Sequence, residues 1–165
     1  MAASNAGNSA AANFAEREIE ITRVFDAPRE LVFKAWTDPK HLAKWWGPHR
    51  FTIPVCEVDA RPGGAIRIHM RGPDGSIYPM RGVFQEFVPP ERLVFTNIAV
   101  DNDGNPMIDG LTTVVFEEQA GKTKLTMRTR GVAVKDYAAA YLAGMEAGWT
   151  QMLEKLAAEL AAQPA

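Results

Sequence analysis

The chain has 165 residues, 47% hydrophobic and 23% charged, with a net charge of −2 and one cysteine, Cys56. That balance predicts one globular domain with a substantial core. The charge gives no electrostatic reason to expect nucleic acid or an acidic membrane as partner, and a lone cysteine excludes an internal disulfide framework and fits a reducing, cytoplasmic compartment.

Residues 1–13 are small and polar, with neither the basic-then-apolar pattern of a signal peptide nor a membrane span. The chain is therefore divided into a disordered tail, 1–16, and a single domain, 17–163. From Glu18 to Phe25 alternation predicts a first strand, with Ile19, Ile21 and Arg23 on one face. Asp26-Ala27-Pro28 switches the chain into a short helix with Pro28 in its first turn and Leu31, Val32, Ala35 and Trp36 on its apolar face. Asp38-Pro39 restarts a second short helix that buries Leu42, Trp45 and Trp46 and ends at Gly47-Pro48. Adjacent Trp45 and Trp46 are expected to diverge, one of them at a rim or on the surface.

From Phe51 to Gly131 the period is two, and turn signals recur. Six strands are expected: one ending near Asp59, then Ala65 to Arg71, Ile77 to Val88, Leu93 to Val100, Thr112 to Glu118 and Thr123 to Arg130. Short connections favour an antiparallel meander. Ile66, Ile68 and Met70 should face inward and Arg67 and His69 outward; likewise Leu125 and Met127 inward, Lys124, Thr126, Arg128 and Arg130 outward.

From Val134 to Gln163 the period becomes helical. Ala138, Tyr141, Leu142, Met145, Trp149, Met152, Leu156 and Leu160 gather on one stripe. Gly144 and Gly148, each costing about 1 kcal/mol of helix propensity against alanine, lie in its first half beside Tyr137, Tyr141 and Met145. The two glycines suggest a close approach, a bend or a space beneath the helix; the working picture is a cavity under that half, with the Leu- and Met-rich second half closing on the sheet.

The reactive residue types give little. His41, His49 and His69 show no HExxH spacing and no CxxC exists, so no metal site is expected. Cys56 lies in an apolar strand and reads as a structural thiol. The stretch from Asp101 to Asn105 hints at a calcium loop, but the position for its bidentate carboxylate is Thr112, and an Asx turn is the better reading. Glu57, Asp59 and Glu86 sit in strands; solvent exposure or pairing with Arg61 or Arg81 is favoured over a catalytic carboxylate in a cavity. No catalytic residue and no cofactor are assigned.

A set of local motifs, in order, is more telling: Arg23-Val24-Phe25-Asp26-Ala27-Pro28, Ala35-Trp36-Thr37-Asp38-Pro39, Trp45-Trp46-Gly47-Pro48, Arg61-Pro62-Gly63-Gly64, Pro89-Pro90-Glu91-Arg92-Leu93 and Gly148-Trp149. Together they resemble the START-like (Bet v 1-like, SRPBCC) superfamily, in the branch similar to the C-terminal domain of the activator of Hsp90 ATPase. The resemblance covers Arg17 to Leu160. It implies an α+β helix-grip fold, a seven-stranded curved antiparallel sheet wrapped around a long C-terminal helix, with two short helices after the first strand and a cavity near them.

In that fold Trp36, Trp45, Trp46, Ile68, Met70, Met127, Tyr137, Tyr141 and Met145 are the expected ligand-binding residues. Aromatic groups with a polar handle suit a pocket that orients an apolar ligand. The expected partner is a hydrophobic or amphipathic small molecule, bound with little dependence on salt. A cyclase- or hydrolase-type enzyme is the alternative, and an Hsp90-type chaperone and a second copy of the chain are the other partners considered; no membrane insertion is expected.

Overall fold

The computed structural model describes residues 14–162. Strand β1 (Ala15–Phe25) is followed by α1 (Arg29–Thr37) and α2 (Pro39–Trp45). Six strands come next: β2 (Thr52–Val58), β3 (Ala65–Arg71), β4 (Ile77–Val88), β5 (Arg92–Val100), β6 (Pro106–Gln119) and β7 (Lys122–Ala133). The chain then makes one 3₁₀ turn (Asp136–Ala138), α3 (Ala139–Ala143) and α4 (Met145–Ala162). The expected tail 1–16 lies outside the described residues up to position 13, as does Gln163, while Ala15 and Glu16 belong to β1.

The strands form one antiparallel sheet in the order β1-β7-β6-β5-β4-β3-β2. β1 and β2 are consecutive in sequence but occupy opposite edges, so α1 and α2 carry the chain from one edge to the other. This is the helix-grip α+β architecture. Period-two alternation sets the buried face. Ile19 and Ile21 of β1, Ile66 and Ile68 of β3, Val114 and Phe116 of β6, and Leu125 and Met127 of β7 are buried. Against them α4 lays Trp149, Met152, Leu153, Leu156 and Leu160. Arg23 shares the parity of Ile21 but is exposed, and its guanidinium turns back to the carbonyl of Thr22.

Pro28 stands at the N-cap of α1 rather than within its first turn. Asp38 caps α2 by accepting from the Lys40 amide, with Pro39 at the first helical position. Beyond α2, Trp46 is extended (φ −67°, ψ 146°). That change of backbone direction lets Trp45 and Trp46 both be buried, at 0% and 7% exposure, where strict helical geometry would have separated them.

The expected single helix from Val134 to Gln163 is broken. Gly144 ends α3 in a non-helical conformation (φ −93°, ψ 3°) before α4 begins. Arg17 on β1 donates to the carbonyls of Leu142 and Ala143 and pairs with Glu146 at 3.1 Å, so carbonyls freed at the break gain partners from a distant strand. The break also changes the phase of the stripe. Ala138 and Leu142 turn inward onto Ala133 in a small separate core, whereas Tyr137 and Tyr141 are about half exposed, at 52% and 51%. The inward assignment of Tyr141 is thereby corrected. Among the described residues no helix is long and apolar enough to cross a membrane.

Candidate functional site

α1 and α2 close the sheet near β3, β4 and β5 with indole rings. Trp36 stacks on Trp149 at 6.1 Å with an interplanar angle of 14°, and meets Trp45 edge-on at 4.7 Å. Trp46 meets Trp149 edge-on at 5.4 Å. Trp45 fixes the cluster by donating its indole N–H to the Ala35 carbonyl at 2.9 Å. The four tryptophans occupy much of the region in which the sequence predicts a cavity.

What remains open there is a void of about 10 Å³, at the lower limit of the space that one water molecule needs. Trp36, Leu42 and Trp46 line it from the helical side, and Val58, Ile66, Ile68, Met80, Phe84 and Phe95 from the sheet. Trp36 is 3% exposed, yet its indole N–H has no hydrogen-bond partner among the described residues.

The expected site residues therefore separate. Trp36, Trp46 and Ile68 line the void; Trp45 sits behind Trp36. Met127 is fully buried in the main core, and Met70 and Met145 are half-buried at its margin. Tyr137 and Tyr141 do not join them. Their rings lie at the surface because the kink at Gly144 hands the inward positions to Ala138 and Leu142.

A polar group on the buried face was missed. Thr112 donates to the Asn97 side chain at 2.9 Å and lies 2.8 Å from the Thr129 hydroxyl. Thr112 pairs in register with Thr129 on β7 and with Phe95 on β5, which places this network beside the void-lining Phe95. Its sequence signal is a threonine of inward parity on each of two adjacent strands, opposite one another. Phe84 and Phe95 were missed because their strands carry apolar residues on both parities.

The carboxylates considered for catalysis face outward and are paired: Glu57 with Arg67 at 3.3 Å, Asp59 with Arg61 at 2.8 Å, and Glu86 with Arg92 at 2.8 Å. Burial, reinforced by the negative charges of Asp38 and Glu57, pushes the Cys56 thiol up to about 11, away from a reactive thiolate. His49 is exposed, 3.5 Å from Glu154, and His41 and His69 are half-buried. Asp101 accepts from the backbone amides of Asp103 and Asn105, an Asx-type turn, and those bonds lower its pKa.

On the outside of the Trp46–Phe51 segment lies an open groove of about 570 Å³. Its lining includes Lys44, His49, Arg50 and Lys155 above Phe51 and Ile53. Lys155 donates to the carbonyls of Trp46 and Gly47 at 3.2 and 3.0 Å, and Gln151 accepts from the His49 amide at 3.0 Å. These bonds strap the segment to α4.

Residues 26–161 match the family model of the Activator of Hsp90 ATPase homolog 1-like protein. Among solved structures, a protein from Chromobacterium violaceum is similar at 32% identity, over 87% of this chain and 96% of its own, with a TM-score of 0.74. The AHSA1 protein from Silicibacter pomeroyi is similar at 28% identity, over 88% of this chain and 98% of its own, with a TM-score of 0.74. A protein from Arthrobacter aurescens has 26% identity over 88% and 87%, with a TM-score of 0.77. No curated protein matches the sequence significantly.

Proposed function

The chain belongs to the Activator of Hsp90 ATPase homolog 1-like family, and from that premise we propose that it binds a hydrophobic or amphipathic small molecule between the sheet and α4, at the tryptophan cluster. The single observation that carries this reading is the buried, unpartnered N–H of Trp36 in a residue that lines the void. Leaving such a donor unpaired costs about 1–3 kcal/mol. A water is a poor remedy: buried waters make about three hydrogen bonds, and this lining is apolar apart from the indoles. An otherwise apolar ligand with one acceptor atom would satisfy the donor once the void opened to admit it.

Entry requires the void to widen. Met80 in its wall is an adaptable side chain, and Trp46 lies just past α2 in extended backbone, so widening there would act on its bonds to Leu42 and Lys155. The residues lining the void include no titratable side chain. That supports binding over acid–base catalysis.

The test is a titration of flavonoids, fatty acids and aromatic polyketides followed by tryptophan emission. A blue shift or quenching is expected as a ligand enters beside Trp36 and Trp46. Trp36→Phe should weaken acceptor-bearing ligands by about 3–10-fold, the worth of one hydrogen bond, in a protein whose circular dichroism is unchanged. If nothing in the panel binds while a purified Hsp90-type chaperone does, the chaperone-partner reading replaces this one.

A further inference from the structure

We propose that the groove outside the Trp46–Phe51 segment is a head-group site for an anionic single-chain amphipath, carboxylate or phosphate monoester, whose apolar tail passes the segment to reach the tryptophan cluster. The inference rests on the interior-binding reading and names the ligand class for it.

The first support is charge. Lys44, Arg50 and Lys155 line the groove with His49; Lys44 pairs with Glu159 and His49 with Glu154, each at 3.5 Å, which leaves Arg50 and Lys155 as the groove cations without a carboxylate partner among the described residues, although the chain as a whole carries −2. Lys155 is half-buried, and its two hydrogen bonds go to neutral carbonyl oxygens. Burial alone lowers its pKa. A partly buried ammonium whose hydrogen bonds go to carbonyls gains from an anion placed beside it. Arg50 adds a guanidinium fork that suits either head group. Its backbone is held at φ 73°, a conformation uncommon for a residue with a side chain.

The second support is continuity between groove and interior. Phe51 and Ile53 line the groove, and Ile53 also packs against the main core. Gly47 lies against both: a methyl group built on its α-carbon would stand 3.3 Å from Phe51 and from the Met70 sulfur, and 3.5 Å from Ile53. The next residue back, Trp46, lines the void. Trp46-Gly47 thus links a residue that lines the void to one that touches the groove-lining Phe51 and Ile53. The bonds that fasten it come from Lys155 and Gln151, and an anion drawing on Lys155 would compete directly with them.

The experiment compares dodecanoate, dodecyl phosphate and 1-dodecanol, all below micelle-forming concentrations, by calorimetry and tryptophan emission. At low ionic strength at least one anion should bind about tenfold more tightly than the alcohol. The advantage should shrink in high salt, because exposed charges are screened over about 10 Å at 0.1 M. The preferred anion tells carboxylate from phosphate. Arg50→Gln, an exposed substitution, should bring the affinity of that anion close to that of dodecanol. Lys155→Gln should do the same, with folding verified by circular dichroism. Equal binding of all three compounds, or an anion preference that survives both substitutions, overturns the head-group site and leaves interior binding standing. If none of the three binds, the inference also fails, and the uncharged members of the ligand panel judge the interior reading separately.

Discussion

Tyr141 and Trp149 occupy the same sequence stripe but different environments, and their substitution separates surface from core. Tyr141 is 51% exposed, so Tyr141→Ala should cost less than about 1 kcal/mol. Trp149 contacts both Trp36 and Trp46, and Leu156 is fully buried. Trp149→Ala should cost about 3–5 kcal/mol and Leu156→Ala about 2–5 kcal/mol. Urea midpoints rank the three; a large loss for Tyr141→Ala would show that its ring is packed. Cys56 gives a pH-dependent counterpart. Its pKa rises on folding from an ordinary 9.0 to about 11, first through burial and then through Asp38 and Glu57. The folded state thus keeps a proton that the unfolded chain has lost. The associated stability is fully present below pH about 9 and disappears as pH climbs towards about 11. Cys56→Ser should flatten that decline in an alkaline urea series, and an unchanged slope would place the thiol in ordinary solvent.

At the scale of elements, the broken C-terminal helix holds the most information. Gly144 has nothing within 4 Å of an added methyl group, and its φ of −93° is open to any residue. Gly144→Ala should therefore stabilise the protein by about 0.4–1 kcal/mol through a less flexible unfolded chain. A loss of stability would mean that the break itself requires glycine. The α3 segment is anchored by the small cluster of Ala133, Ala138 and Leu142 rather than by the main core. Its amides should exchange with deuterium well before those of α4 around Leu153 and Leu156, since local opening follows local burial; equal protection would show that the two helices open as one unit. The strands β3 and β4 were legible to their ends because alternation and the turn residues around Pro73-Asp74-Gly75 agree there. The helix break was legible only as a bend, one of three alternatives raised by Gly144 and Gly148, because the partner of its freed carbonyls is Arg17, more than a hundred positions away. The simultaneous burial of Trp45 and Trp46, each a burial candidate, escaped for a related reason: helical periodicity says nothing about a residue one step past the helix end. The void's size was equally hidden, since it depends on how four indoles from three segments fit together.

For the whole molecule, the open sheet leaves two edges, and their chemistry bears on assembly. β2 is seven residues long, contains Pro54 and has an irregular register between Thr52 and Val55; an irregular strand with a missing N–H is a poor template for another strand. β1 is the longer edge, eleven residues. Its outward face carries Glu16, Glu18 and Glu20, which pair with Arg128 and Arg130 of β7. A second copy added antiparallel to β1 would bring two rows of glutamates alongside each other, and facing like charges destabilise a strand pair. The exposed apolar residues of the strands, Val24, Val83, Val88 and Leu111, sit on β1, β4 and β6, which do not neighbour one another, and Phe14 stands just before β1, so little apolar surface is available along that edge to offset the repulsion. The chain should therefore sediment as a monomer of 18.1 kDa at low ionic strength, up to concentrations of about 100 μM. Raising the salt weakens the glutamate repulsion, so any edge-to-edge association should appear there first and be suppressed by Thr22→Pro, which removes an edge N–H. A dimer already present at low salt and indifferent to that substitution would locate self-association away from the sheet edges.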